Sequence, residues 1–127
     1  MVKRIEQSPK DFFHLERLKK FRDFSNHDQP EDYKNRVVIK PWGHEFLIFE
    51  NSNVAVWFLH IKTGHSTSMH YHPKKKTSLI LLSGNALCNT FEKRNYLKSP
   101  DAINLEKAVF HSTKSLSAGG INVIEVE

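Results

Sequence analysis

The chain has 127 residues, which suits a single domain around one hydrophobic core. Its single cysteine, Cys88, excludes an intrachain disulfide framework and fits a reducing compartment. No run reaches the roughly 18 apolar residues of a membrane span, and the charged first twenty residues lack the apolar segment of a secretory signal, so a cytoplasmic location without a membrane partner is expected.

The net charge is +5 with neutral histidines. The basic residues are scattered over the N-terminal segment, Lys74-Lys75-Lys76 and Lys93-Arg94, without a nucleic-acid-binding motif. A nucleic-acid partner is therefore not expected. Local attraction to an anionic small molecule is, because the lysine run follows a histidine pair directly.

In chain order, residues 1–36 read as a helical or irregular N-terminal extension. Ser8 is placed as N-cap, Pro9 as the first helical residue, and Asp11 near the positive end of the helix dipole. Phe12, Leu15 and Leu18 make a partial apolar stripe, and the helix is expected to run to about Phe24. Asn26-His27-Asp28-Gln29-Pro30 breaks it.

Residues 37–127 read as one all-β barrel. Strands are expected at His44–Phe49, Val54–Ile61, Ser68–His72, Ser78–Leu82, Ala86–Phe91, Ala102–Leu105, Phe110–Lys114 and Ile121–Val126. Turn clusters separate them, among them Asn51-Ser52-Asn53, Ser83-Gly84-Asn85 and Ala118-Gly119-Gly120. About eight short strands at this spacing indicate a sandwich or a barrel.

Ser68-Met69-His70-Tyr71-His72 carries the chemistry. Alternation along a strand turns His70 and His72 to one face, about 7 Å apart, and Tyr71 to the other. Two imidazoles so placed can converge on one metal ion, and Pro73 ends the segment.

The stretch Gly64-x5-His70-x-His72-x4-Thr77-x6-Gly84 resembles the first cupin motif in spacing, with Thr77 at the position of the motif's glutamate. Glu106-Lys107-Ala108-Val109-Phe110-His111 resembles the second motif. It keeps the ligand histidine as His111 but has Glu106 and Ala108 where the family has proline and glycine. The resemblance implies a double-stranded β-helix (jelly-roll) barrel holding one divalent transition metal (Zn, Fe, Ni or Mn) on His70, His72 and His111. Without a carboxylate at position 77, that site would keep the full charge of the ion and favour an anion.

Lys40-Pro41-Trp42-Gly43 reads as a turn and also resembles the PWG signature of mannose-6-phosphate isomerase-like cupins of surface-polysaccharide pathways. This implies a metal-dependent isomerase or epimerase acting on a phosphorylated sugar or nucleotide sugar, with Lys40, Trp42, Lys75 and Lys76 as substrate-binding candidates. A non-catalytic sugar-binding cupin and a three-histidine non-haem iron dioxygenase are the alternatives. The catalytic base is open. A homodimer is expected from the family.

Overall fold

The computed structural model describes residues 1–19 and 35–127. The strands are β1 (Val2–Ile5), β2 (Val38–Lys40), β3 (Gly43–Glu50), β4 (Ala55–Ile61), β5 (Thr77–Ser83), β6 (Asn85–Thr90), β7 (Arg94–Lys98), β8 (Ala102–Leu105), β9 (His111–Ser115) and β10 (Ile121–Val126). One helix, α1 (Pro9–Lys19), lies between β1 and β2. A seven-stranded sheet in the order β1-β8-β5-β10-β4-β3-β2 faces a three-stranded sheet in the order β7-β6-β9.

Alternation builds the space between the sheets. In β4, β5 and β10, buried side chains occupy every second position. Ile61, Leu81, Ile103, Leu105, Ile121 and Val123 thus form a sealed floor in one cluster. Along β10 the same phase runs Ile121, Val123, Glu125, which carries a carboxylate into an otherwise apolar row.

Pro41 and Trp42 form the two-residue turn between β2 and β3, whose register pairs Lys40 with Gly43. Gly43 also pairs with Ile61, and a Cβ built there would run into the His60 carbonyl. The glycine of the PWG stretch is thus required by close backbone packing.

Three expectations change. Ser68–His72 is not a regular strand. It meets β9 only through an isolated bridge, in which His70 and His111 exchange backbone N–H···O bonds of 2.9 and 2.8 Å. Pro73, lacking an N–H, closes off the pairing. The N-terminal segment is not wholly helical or irregular, because β1 joins the large sheet in parallel with β8. β2 and β7 are additional strands. The helix begins where the capping signals place it, but its expected end near Phe24 and the breaker at 26–30 lie outside the described residues.

Ala108 stands at φ 59°. This left-handed conformation is costly for any residue bearing a Cβ, and the second cupin motif has glycine here. Ala108→Gly is expected to stabilise the protein by about 1 kcal/mol, read as a raised urea midpoint with unchanged slope.

Candidate metal centre

His70, His72, His111 and Glu125 each offer one donor atom, and the four atoms lie within 4.8 Å of one another. His70 and His72 come from the irregular segment before β5, His111 from the start of β9, and Glu125 from β10. The rings of His70 and His111 are centred 4.2 Å apart, those of His70 and His72 5.4 Å, and those of His72 and His111 5.7 Å. The side-by-side placement of His70 and His72 holds although no regular strand carries them. Tyr71 points away and packs on Phe110 at 4.4 Å.

His70 and His111 are hydrogen-bonded through Nδ1, and His72 faces a carboxylate there. His70 Nδ1 lies 2.7 Å from the Ser68 carbonyl, His111 Nδ1 lies 2.9 Å from the Val109 carbonyl, and His72 Nδ1 lies 3.0 Å from Glu127 Oε2. The two carbonyl bonds fix the tautomer that leaves Nε2 of His70 and of His111 as the free donor, and a carboxylate at Nδ1 of His72 favours the same one, the arrangement found behind metal-bound histidines. Nε2 of His72 and of His111 are buried without a hydrogen-bond partner. Glu125 Oε1 stops 4.0 Å short of His72 Nε2, too far for a hydrogen bond. Unpartnered buried nitrogens are costly, and an ion about 2.0–2.2 Å from each donor would satisfy them. The donor set therefore fits a divalent transition metal, and its mixed imidazole and carboxylate character suits zinc, iron, nickel or manganese.

Electrostatics agree with this geometry. Burial, with the charges of Glu127 and Glu45, lifts Glu125 to about 7, against the pull of His72. Burial, assisted by the charges of His70 and His72, lowers His111 to about 3, although the Val109 carbonyl opposes it. Burial also lowers His70. Burial acts on His72 in the same sense, but contact with Glu127 and the charges of Glu127 and Glu125 outweigh it and raise this residue. Glu127 is held low: burial opposes, and its contact with His72 prevails. A buried carboxylate that resists ionisation beside the neutral-favouring imidazoles of His70 and His111 is a site short of positive charge.

The carboxylate corrects the expectation of a site without one. Thr77 is buried at the start of β5, and the neighbouring strand β10 supplies Glu125 in register with Leu79. Glu125 and Glu127 were both missed in the sequence. The available signal was a glutamate in phase with Ile121 and Val123. A dioxygenase, which the missing carboxylate favoured, loses that support.

The substrate-binding candidates fall into different surroundings. Lys75 is close enough for its charge to act on His72 and Glu127. Lys76 pairs with Glu106 at 3.2 Å and, with Thr77 and Glu127, lines a groove of about 450 Å³. Glu127 thus touches the His72 imidazole and also lines this groove. Lys40 pairs with Glu45 at 3.5 Å. Trp42 sits in the β2–β3 turn against the core. No helix among the described residues is long and apolar enough to cross a membrane.

Solved structures share this fold at low sequence identity. KdgF from Halomonas sp. superposes with a TM-score of 0.65 at 13% identity, covering 73% of this chain and 86% of that one. A cupin superfamily protein from Desulfitobacterium hafniense gives 0.60 at 13% identity, covering 80% and 81%. A protein with a double-stranded β-helix domain from Klebsiella pneumoniae gives 0.62 at 16% identity, covering 81% and 84%. They establish the cupin jelly roll with an N-terminal helix as the architecture. No curated protein matches the chain. Residues 27–127 match the family described as mannose-6-phosphate isomerase C-terminal, and with that match over most of its length the chain belongs to this family of cupins.

Proposed function

We propose that the protein is a metal-dependent cupin acting on a phosphorylated sugar or nucleotide sugar, with isomerase or epimerase chemistry, in cell-surface polysaccharide synthesis. The observation that carries this is the set of anchored imidazoles, two with unpartnered Nε2 atoms, gathered around Glu125 in a mannose-6-phosphate isomerase-type domain. A divalent ion bound there supplies Lewis acidity toward a sugar oxygen and so acidifies the neighbouring C–H.

The chain's own residues take the other parts. His70, His72, His111 and Glu125 hold the ion. Lys75 holds the anionic group of the sugar. Glu45, like Glu127, is a carboxylate outside the donor set whose charge reaches Glu125; unlike Glu127 it is not tied to a ligand imidazole in this reading, and its position in β3 opposite Leu59 turns it toward the interior. In this reading its carboxylate takes a proton from the carbon next to the polarised carbonyl and returns it to the adjacent carbon. Lys40 holds that carboxylate in place.

Lys75→Ala is expected to weaken binding of a sugar phosphate about tenfold, the worth of one charge-assisted contact, while metal content stays at the wild-type level. Binding is read by calorimetry across a panel of sugar phosphates and nucleotide sugars. Equal loss of ligand and metal would refute the assignment of Lys75. With any ligand that binds, incubation in D2O separates the two roles: deuterium entering a sugar C–H position marks an isomerase or epimerase, and tight binding without exchange marks a non-catalytic binding cupin.

A further inference from the structure

We propose that Asp11, on the N-terminal helix, is a positioning residue for His111 and acts on it through the peptide group between Val109 and Phe110. The inference rests on the reading of His111 as a metal ligand. Asp11 is only 1% exposed. A carboxylate so deeply buried is expensive unless each oxygen has partners. Oδ2 accepts the backbone N–H and the hydroxyl of Ser8, both at 2.9 Å, while the Asp11 N–H bonds back to Ser8 Oγ at 3.2 Å. That reciprocal pair closes the first turn of α1 and uses one carboxylate oxygen.

The other oxygen has no part in the cap. Oδ1 accepts the N–H of Phe110 at 2.8 Å, across 99 positions of sequence. The carbonyl of that same peptide group is Val109 O, which lies 2.9 Å from His111 Nδ1. A continuous line therefore runs from a buried carboxylate, through one peptide plane, to the imidazole. Hydrogen bonds in such chains polarise one another. The negative charge at the N–H end makes the carbonyl a better acceptor, and a stronger bond at Nδ1 makes Nε2 a better donor to metal. The same contacts fix the tilt of the peptide plane and with it the ring.

The packing around this line points the same way. Leu15 of α1 is buried against Ala108 and Phe110, with Leu18 and Tyr71 beside them. Tyr71 separates His70 from His72, and Phe110 precedes His111. The helix thus stands behind both ligand-bearing segments. The three imidazoles then differ in what backs them: a plain carbonyl for His70, a carboxylate for His72, and a carbonyl reinforced by a carboxylate for His111.

The test uses the full-length chain loaded with cobalt(II), with affinity read by chelator competition and geometry by the visible spectrum. Asp11→Ala is expected to lower affinity about 10–100-fold, the usual cost of losing a partner behind a metal ligand, and to alter the spectrum. Asp11→Asn removes the charge and keeps one acceptor oxygen for the Phe110 N–H, its amide nitrogen turning to Ser8 Oγ at the expense of the Ser8 N–H bond. It should restore the wild-type spectrum while affinity stays below wild type. Ser8→Ala removes the cap and leaves the tether, so cobalt affinity should not change. A folded Asp11→Ala protein with wild-type affinity and spectrum would overturn the proposal, as would an equal loss in Ser8→Ala. Should Asp11→Ala fail to fold, Asp11→Asn decides, and wild-type affinity there overturns it. A wild-type chain that takes up no cobalt would instead remove the metal reading on which the proposal stands, a result distinct from any of these.

Discussion

Glu125→Gln is expected to stabilise the metal-free protein at pH 8 while crippling its hold on metal. Glu125 is 8% exposed, and burial lifts it to about 7 from an ordinary value of 4.5. Above neutral pH the metal-free protein therefore carries a buried negative charge that the unfolded chain would keep in water. A shift of this size corresponds to about 3 kcal/mol of lost stability. The amide is neutral and nearly isosteric, so the variant should recover about 2–3 kcal/mol at pH 8 and nearly nothing at pH 4, where the wild-type carboxyl is already protonated. Metal affinity should move the opposite way. An amide oxygen is a weaker donor than a carboxylate, and losing a direct ligand should cost more than the roughly 10–100-fold typical of outer-shell partners. Urea titrations with chelator or with metal should show the order of the two proteins reversing.

The pH profile of the metal-free protein gives the second large effect. His111 is lowered to about 3 from 6.5, so the unfolded chain binds its proton first as pH falls. Stability from this residue is complete above pH 6.5 and declines down to about pH 3, by up to about 5 kcal/mol. Lowered His70 acts in the same direction. Glu125 works oppositely: raised in the fold, its contribution is complete below pH 4.5 and lost as pH climbs to about 7. Between pH 4.5 and 6.5 the opposing slopes largely cancel, which leaves a shoulder. Below it His111 and the depressed Glu127 lose stability together. Above it Glu125 and the raised His72 do. Bound metal keeps Glu125 ionised beside a positive ion, so the alkaline decline should vanish on loading. Urea midpoints from pH 4 to 8 measure both curves. A chelated protein that gains stability steadily up to pH 8 would contradict the arrangement of charges.

What the sequence revealed depended on whether the relevant geometry was local. His70 and His72 were legible because a two-residue spacing sets a common face even where the backbone is irregular. Ser8 and Pro9 announced the helix start for the same reason, since a cap is built from neighbours. His111 lies some forty residues away and was reached only through its likeness to a second motif. Glu125 was hidden differently. Its phase with Ile121 and Val123 was visible, but the opening of the barrel beside it depends on the pairing of β10 with β4 and β5. The bond from Asp11 to Phe110 spans the fold and leaves no local trace. β1 has only two apolar residues in four, and β7 turns Asn95 and Leu97 inward. Neither gives an alternation strong enough to mark a strand, and pairing with partners makes them strands. Cys88 is buried and free, burial pushes its thiol to about 11, and it is not among the four grouped donors.

Elemental analysis of the purified protein tests the metal centre most directly, with His72→Ala and His111→Ala analysed beside it after circular dichroism has shown them folded. One divalent transition ion per wild-type chain, and essentially none in either variant, is the expected result. A wild-type chain that holds no ion after exposure to zinc, iron, nickel and manganese, or variants that hold as much as wild type, would contradict a metal centre built on His70, His72, His111 and Glu125.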